Sequence, residues 1–294
     1  MDLSIYATAS AETELGVYRQ DIRLLPNDIG SLCRFVQNLL VHAYWLDRYS
    51  LHDDETDKWR EMQARSVINI LDLAVFKSNT NIRELRKPKD KVVSICRDFS
   101  LLLCAVLREK QVPARVRCGF ATYLGSDHFE DHWVCEYWDV KLSRWVLVDA
   151  QLDEIHRRVL QFNFNALDVP KSAFLYAGEA WCLCRTGKLS ADRFGIFDLS
   201  GLAFIKGNLI RDLFALATIE LMAWDTGWGL LKDYITPIDS AEEFELLDDL
   251  AVFSQTSNIE KAITAVKTQP GIQLPSNWSF SDFPTIEVLY SKLN

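Results

Sequence analysis

The 294-residue chain has no apolar run near the ~18 residues that a membrane-crossing helix needs. Its longest, "LLLCAVL" at 101–107, is too short, so a membrane is not expected as a partner. It also has no dense block of Lys and Arg, and its formal net charge is -9. That excess of acid argues against nucleic acid and favours solubility. The opening stretch "MDLSIYATASAETELGVYRQ" lacks a basic start and an apolar core, so neither a signal nor a transit peptide is expected there. The seven cysteines are an odd number, most of them inside apolar or strand-like runs. This argues against a disulfide framework and for reduced thiols in a cytoplasm. There is no internal repeat, low-complexity segment or flexible linker.

What is present is an ordinary globular composition, 49% hydrophobic and 25% charged, long enough for one large domain or two small ones. In the first third, Ile29, Leu32, Phe35, Val36, Leu39, Leu40 and Ala43 recur at helical spacing behind Asp28, a fair N-cap. A second helix is expected from Thr56 to Phe76. A third, from Asp98 to Lys110, is apolar on most sides and should be central. The pattern then switches to alternation. "ARVRCGFATYL", "HWVCEYWDV" and "RWVLVDA" read as three strands, the last two joined by a hairpin at "KLS". A helix leading into a meander is the core of an α+β domain.

Beyond about Asp153 the texture becomes helical. "SAFLYAGEAWCLCRTG" is expected to be a helix closed by Gly187. "GNLIRDLFALATIELMAW" should be another, capped by Asn208, and "DSAEEFELLDDLAVF" opens with a capping box. Short helices should follow Asn258 and Pro284. The expected organisation is a core over residues 1–155 and a helical elaboration over 156–294.

Three residues carry chemistry. Cys96 stands directly before the third helix, where unpaired N–H groups and the positive end of the macrodipole favour a thiolate. His132 begins the strand "HWVCEYW" and shares a face with Val134 and Glu136. Asp149 ends the strand "WVLVD". Taken singly, each has a structural reading: a buried inert thiol, a loop-edge histidine, a strand-end turn residue. Together they describe a nucleophile, a base and a carboxylate that orients the base. The hairpin brings the far ends of its two strands level, and His132 and Asp149 both lie near that end.

"CRDFS" with its apolar helix, "LREKQVPARVRCGF", "DHWVCEYW" and "RWVLVDAQLD" together resemble the transglutaminase-like superfamily. Its core runs Cys, helix, "GIPAR", strand, His, strand, Trp-x-x-x-Asp. The match covers roughly Arg83 to Asp153. Gln111-Val112-Pro113-Ala114-Arg115 stands at the middle element, Trp145 and Asp149 at the last. The resemblance implies a papain-like α+β fold and a Cys-His-Asp triad, carried here by Cys96, His132 and Asp149. No cofactor and no metal are expected. Ser94 stands where many members have glycine, Arg97 where the animal cross-linking enzymes have tryptophan, and Val134 where an aromatic is usual. The C-terminal half is similar to extensions on bacterial members.

The expectation is a cysteine-dependent amidase, peptidase or acyltransferase. It would act on a protein, a peptide or a small amide through a thioester, with hydrolysis favoured over cross-linking. The alternative is a non-catalytic interaction module on the same fold. A third reading, a zinc site at His128 and His132 with Cys135, lacks the glutamate that the zincin pattern places beside its first histidine; Phe129 stands there. Cys104, Cys182 and Cys184 read as core thiols, Trp224, Asp225 and Trp228 as packing residues, and Arg97 with Asp98 as a surface ion pair.

Overall fold

A computed structural model of the chain describes residues 3–52, 57–125 and 128–276. In chain order the elements are α1 (Arg19–Arg23), α2 (Ile29–Leu39), β1 (Leu40–His42), α3 (Lys58–Glu61), α4 (Val67–Ser78), β2 (Val92–Ser94), α5 (Cys96–Glu109), β3 (Ala114–Ala121), β4 (Phe129–Asp139), β5 (Arg144–Val148), α6 (Glu154–Leu160), β6 (Phe174–Tyr176), α7 (Ala177–Arg185), β7 (Phe194–Ile196), β8 (Leu199–Ser200), α8 (Leu202–Leu216), α9 (Ala241–Gln255) and α10 (Ile259–Thr268). The fold is α+β, with a helical C-terminal region. The larger sheet has the order β6-β3-β4-β7-β8, and β5 also pairs with β4. Two units divide the chain: residues 1–116 with 134–169, and residues 117–133 with 170–294. Strands β3 and β4 contribute residues to both.

The first unit is built on α5. Every residue from Arg97 to Arg108 is buried, the apolar ones as the pattern of the segment predicts. Leu101, Leu102, Leu103, Val106 and Leu107 are fully enclosed, each contributing about 1.5–3 kcal/mol of burial. Arg108 ties the far end of the helix down: its Nε donates to the Ala114 carbonyl at 2.9 Å and its Nη1 to Thr13 Oγ1 at 2.9 Å. Asp28 caps α2 by accepting the Ser31 N–H at 2.8 Å, as expected. That helix ends at Leu39, and the chain continues as β1, paired in parallel with β2.

The single helix expected over 56–76 is broken. α3 ends at Glu61, whose carboxylate is taken by Lys77 at 2.6 Å and by the Val93 N–H at 2.6 Å. Ser66 then starts α4 afresh through a reciprocal cap with Asn69. Periodicity alone could not see this, because apolar spacing continues across the break. Thr56 itself lies outside the described residues, as does the helix expected after Pro284.

The second unit packs α7, α8, α9 and α10 around Trp181, Phe204, Leu213, Phe214 and Trp228. The segment expected to be one helix from Ser172 is a strand, β6, followed by α7. β6 pairs antiparallel with β3. Its three residues, Phe174, Leu175 and Tyr176, are aromatic or bulky and suit a buried strand. Gly187 does follow the helix, at φ +69°. α8 begins at Leu202, earlier than expected, and stops at Leu216. Asn208 is therefore not a cap. It is buried mid-helix, and its Nδ2 donates to Asp131 at 2.7 Å. Ser240 and Asn258 cap α9 and α10 as expected. The short strands β7 and β8 were not foreseen. Gly178 lets α7 approach α9: a Cβ there would meet the Ala251 carbonyl and, at 2.7 Å, Ser254 Cβ.

Candidate active site

Cys96 is the first residue of α5 rather than the residue before it, and it is partly exposed while the helix behind it is buried. β2 delivers it: Val92, Val93 and Ser94 are buried, and Ile95 is extended at φ -113°, ψ 170°, as an N-cap residue is. The first turn is held by Asp98, whose Oδ2 accepts the Ile95 N–H at 3.0 Å. Ser100 Oγ donates to the Cys96 carbonyl at 3.1 Å.

Arg97 and Asp98 are not a surface pair. Both are enclosed, 3.1 Å apart, and Arg97 also donates to the Arg65 carbonyl at 2.7 Å. Burial pushes the Asp98 carboxyl above its ordinary value, while Arg97 and the Ile95 N–H work the other way. The Asp98 charge is thus balanced locally, beside a helix N-terminus whose dipole end is positive.

The other thiols contrast with Cys96. Burial pushes Cys33 up to about 12 and Cys135 well above the ordinary thiol value. Burial also raises Cys182, and Cys184 to about 11. Cys104 is enclosed.

Asp149 follows β5 directly and is buried. Its N–H donates to the Ala166 carbonyl at 2.9 Å, and its Oδ1 accepts the Gln151 N–H at 3.0 Å. Cys96 and Asp149 both belong to the first unit.

His132 belongs to the second unit. It lies inside β4, which starts at Phe129, three residues earlier than the sequence suggested. The ring is buried, edge-on to Tyr123 at 5.8 Å and to Phe174 at 6.4 Å. The hairpin between β4 and β5 forms as expected, with Cys135 paired to Val148 and Asp139 to Arg144.

Neighbouring Asp131 is enclosed, and burial raises its carboxyl to about 6 against the Asn208 hydrogen bond. Among the described residues no group of His, Cys, Asp and Glu is arranged to hold a metal. His128 is exposed and outside β4, whereas His132 is buried within it, so strand geometry separates the pair proposed for zinc. Trp224, Asp225 and Trp228 are buried: Trp228 Nε1 donates to the Ile272 carbonyl at 2.8 Å, and Asp225 accepts the Met222 N–H at 2.8 Å.

Sequence reasoning missed two histidines. His42 ends β1 in register with Ser94, two residues before Cys96, and its ring lies 6.4 Å from Phe99. His156 on α6 is enclosed against Asp153. Only pairing reveals the first. The second had a local signal, Asp153 as an N-cap three residues before it.

Residues 45–150 match the family model described as the transglutaminase-like superfamily. No curated protein matches the chain significantly. Among solved structures, one described as a "Putative Cysteine Protease" from Cytophaga hutchinsonii aligns at 15% identity and a TM-score of 0.32, over 51% of this chain and 43% of that one. The chain thus spans less than half the length of that protein. No helix of the described residues is long and apolar enough to cross a membrane.

Proposed function

Taking residues 45–150 as the transglutaminase-like core that this chain carries, we propose that the protein is a thiol enzyme acting on a carboxamide or peptide bond, with Cys96, His132 and Asp149 as its triad. The observation that carries the reading is the setting of Cys96: a partly exposed sulfur on the first turn of a buried helix.

In this reading the Cys96 thiol gives its proton to His132, and Sγ attacks the substrate carbonyl. The Cys96 N–H is a reasonable donor for the developing oxyanion. The carbon–nitrogen bond breaks as His132 returns the proton to the departing amine, which leaves a thioester. Water, deprotonated by His132, attacks the thioester; the acid leaves and Sγ takes the proton back. Asp149 holds the imidazole in the tautomer that makes this exchange work. An amine in place of water would give transfer. Hydrolysis is preferred on the strength of the family resemblance. The substrate class is a protein, a peptide or a small amide.

The test is the rate of alkylation of each cysteine against pH, read by mass spectrometry, in wild type and His132→Ala. Fast labelling of Cys96 at low pH that collapses in the variant is the expected result. An ordinary thiol profile at Cys96 in both proteins, with denatured controls labelling normally, would leave a binding module on the same fold.

A further inference from the structure

A second histidine–aspartate pair, Asp153 and His156, stands five and eight residues beyond β5 within the first unit, the histidine enclosed and the aspartate half-buried. His156 Nδ1 lies 2.8 Å from Asp153 Oδ1, and the ring stacks on Trp45 with centroids 4.2 Å apart. Tyr49 donates its hydroxyl to Asp153 Oδ2 at 2.6 Å. Burial opposes the charge on Asp153, but the hydrogen bonds from His156 and Tyr49 outweigh it and hold the carboxyl at about 2. An anion there takes its proton bond from Nδ1–H, so a neutral His156 presents the lone pair of Nε2. Facing that lone pair at 3.4 Å is the side-chain Nε2 of Gln151. The amide orientation follows: its N–H group points at His156. Its Oε1 is enclosed with no hydrogen-bond partner.

The chain of contacts ends on a residue of the proposed triad. The backbone N–H of Gln151 donates to Asp149 Oδ1, and the Ala150 carbonyl between them is held by Gln37 Nε2 on α2 at 3.0 Å. A buried amide oxygen without a partner is a cost to stability, so Gln151 is not where it is for stability alone. Neither His156 nor Tyr49 contacts Asp149; each acts through the next.

We infer that Gln151 and His156 are positioning residues for Asp149: the Tyr49–Asp153–His156–Gln151 chain fixes the turn that aims the Asp149 carboxylate. This rests on the reading of Asp149 as the group that orients the catalytic imidazole. Loss of either link leaves Asp149 in place but loosely aimed, so the proton-taking power of the thiol–imidazole pair falls while the fold persists.

The test measures Cys96 alkylation against pH, together with the urea midpoint, in wild type, Asp149→Asn, Gln151→Met, His156→Phe and the Asp149→Asn/Gln151→Met double variant. Low-pH labelling should fall about tenfold in Gln151→Met and His156→Phe. The double variant should be no slower than Asp149→Asn alone, because the two changes act on one element. Should His156→Phe not fold, Gln151→Met still decides, since it keeps side-chain volume and the backbone N–H. Variants with shifted urea midpoints but a wild-type labelling profile would overturn the inference and leave the triad standing. An ordinary thiol profile for Cys96 in the wild type would overturn the triad, and the inference with it.

Discussion

The guanidinium of Arg115 lies 3.8 Å from the centroid of the Trp145 ring, and its Nη2 is 2.6 Å from Glu136 Oε2. Both residues were singled out in the sequence as parts of the family pattern, in "QVPAR" and in Trp-x-x-x-Asp. Their meeting gives those elements a physical role: Arg115 on β3, Glu136 on β4 and Trp145 on β5 lock three strands together, with Tyr6 on the guanidinium at 5.2 Å. All four belong to the first unit.

Arg115→Ala should therefore be a stability variant. It removes the Arg115 guanidinium from the buried Glu136 carboxylate and strips the Trp145 ring of its cation, so a loss of about 3–5 kcal/mol is expected. Arg115→Lys should lose less, since it keeps the charge but not the planar fork. Urea unfolding of the three proteins checks this; a midpoint in Arg115→Ala equal to wild type would show the pair to be idle.

Thiol reactivity should be ordered. With burial holding Cys33 at about 12 and Cys135 well above its ordinary value, neither should label in the folded protein at neutral pH, whereas partly exposed Cys96 should. Mass spectrometry of the native protein after a short pulse of iodoacetamide should find the label at Cys96 and not at Cys33 or Cys135. All of them should react after unfolding.

Asp131 should impose a pH dependence on stability. Its folded value of about 6 lies above the ordinary carboxylate value of 3.8. Between those limits the folded state therefore binds more proton than the unfolded state. Stability from this group is full below about pH 4 and is lost as pH rises to about 6, at up to about 1.4 kcal/mol per pH unit. Asp131→Asn keeps an oxygen for the Asn208 amide and removes the titration. Urea midpoints at pH 4.5 and 6.5 should differ less in the variant than in wild type.

Gly178→Ala should separate α7 from α9. The added methyl would press on the Ala251 carbonyl and the Ser254 side chain, and the Gly178 N–H bond to Ser254 Oγ at 3.0 Å would be lost with the contact. Elsewhere in a helix this change stabilises by removing unfolded-state entropy. Here a fall in melting temperature is expected, and a rise would mean the two helices can yield.

Helix starts were legible where a side chain writes them locally. Asp28, Ser240 and Asn258 each accept an N–H within three residues, so the information sits in adjacent sequence. Strand alternation and the β4–β5 hairpin were legible for the same reason. The proposed triad was read as three residue types in order, near a helix start, on a strand and at a strand end; the ends themselves were less legible, since β4 starts at Phe129 and α5 at Cys96.

What the sequence could not announce depended on partners far along the chain. The break after Glu61 follows from Lys77 and the Val93 N–H. Asn208 reads as a cap until Asp131 claims its amide inside a helix. Arg97 and Asp98 read as solvent-facing until α5 is enclosed. The sequence by itself determined local hydrogen bonds and apolar periods, which act over a few residues. Only the tertiary structure decided where charges are buried and what balances them, because burial is set by elements that meet only once the chain has folded.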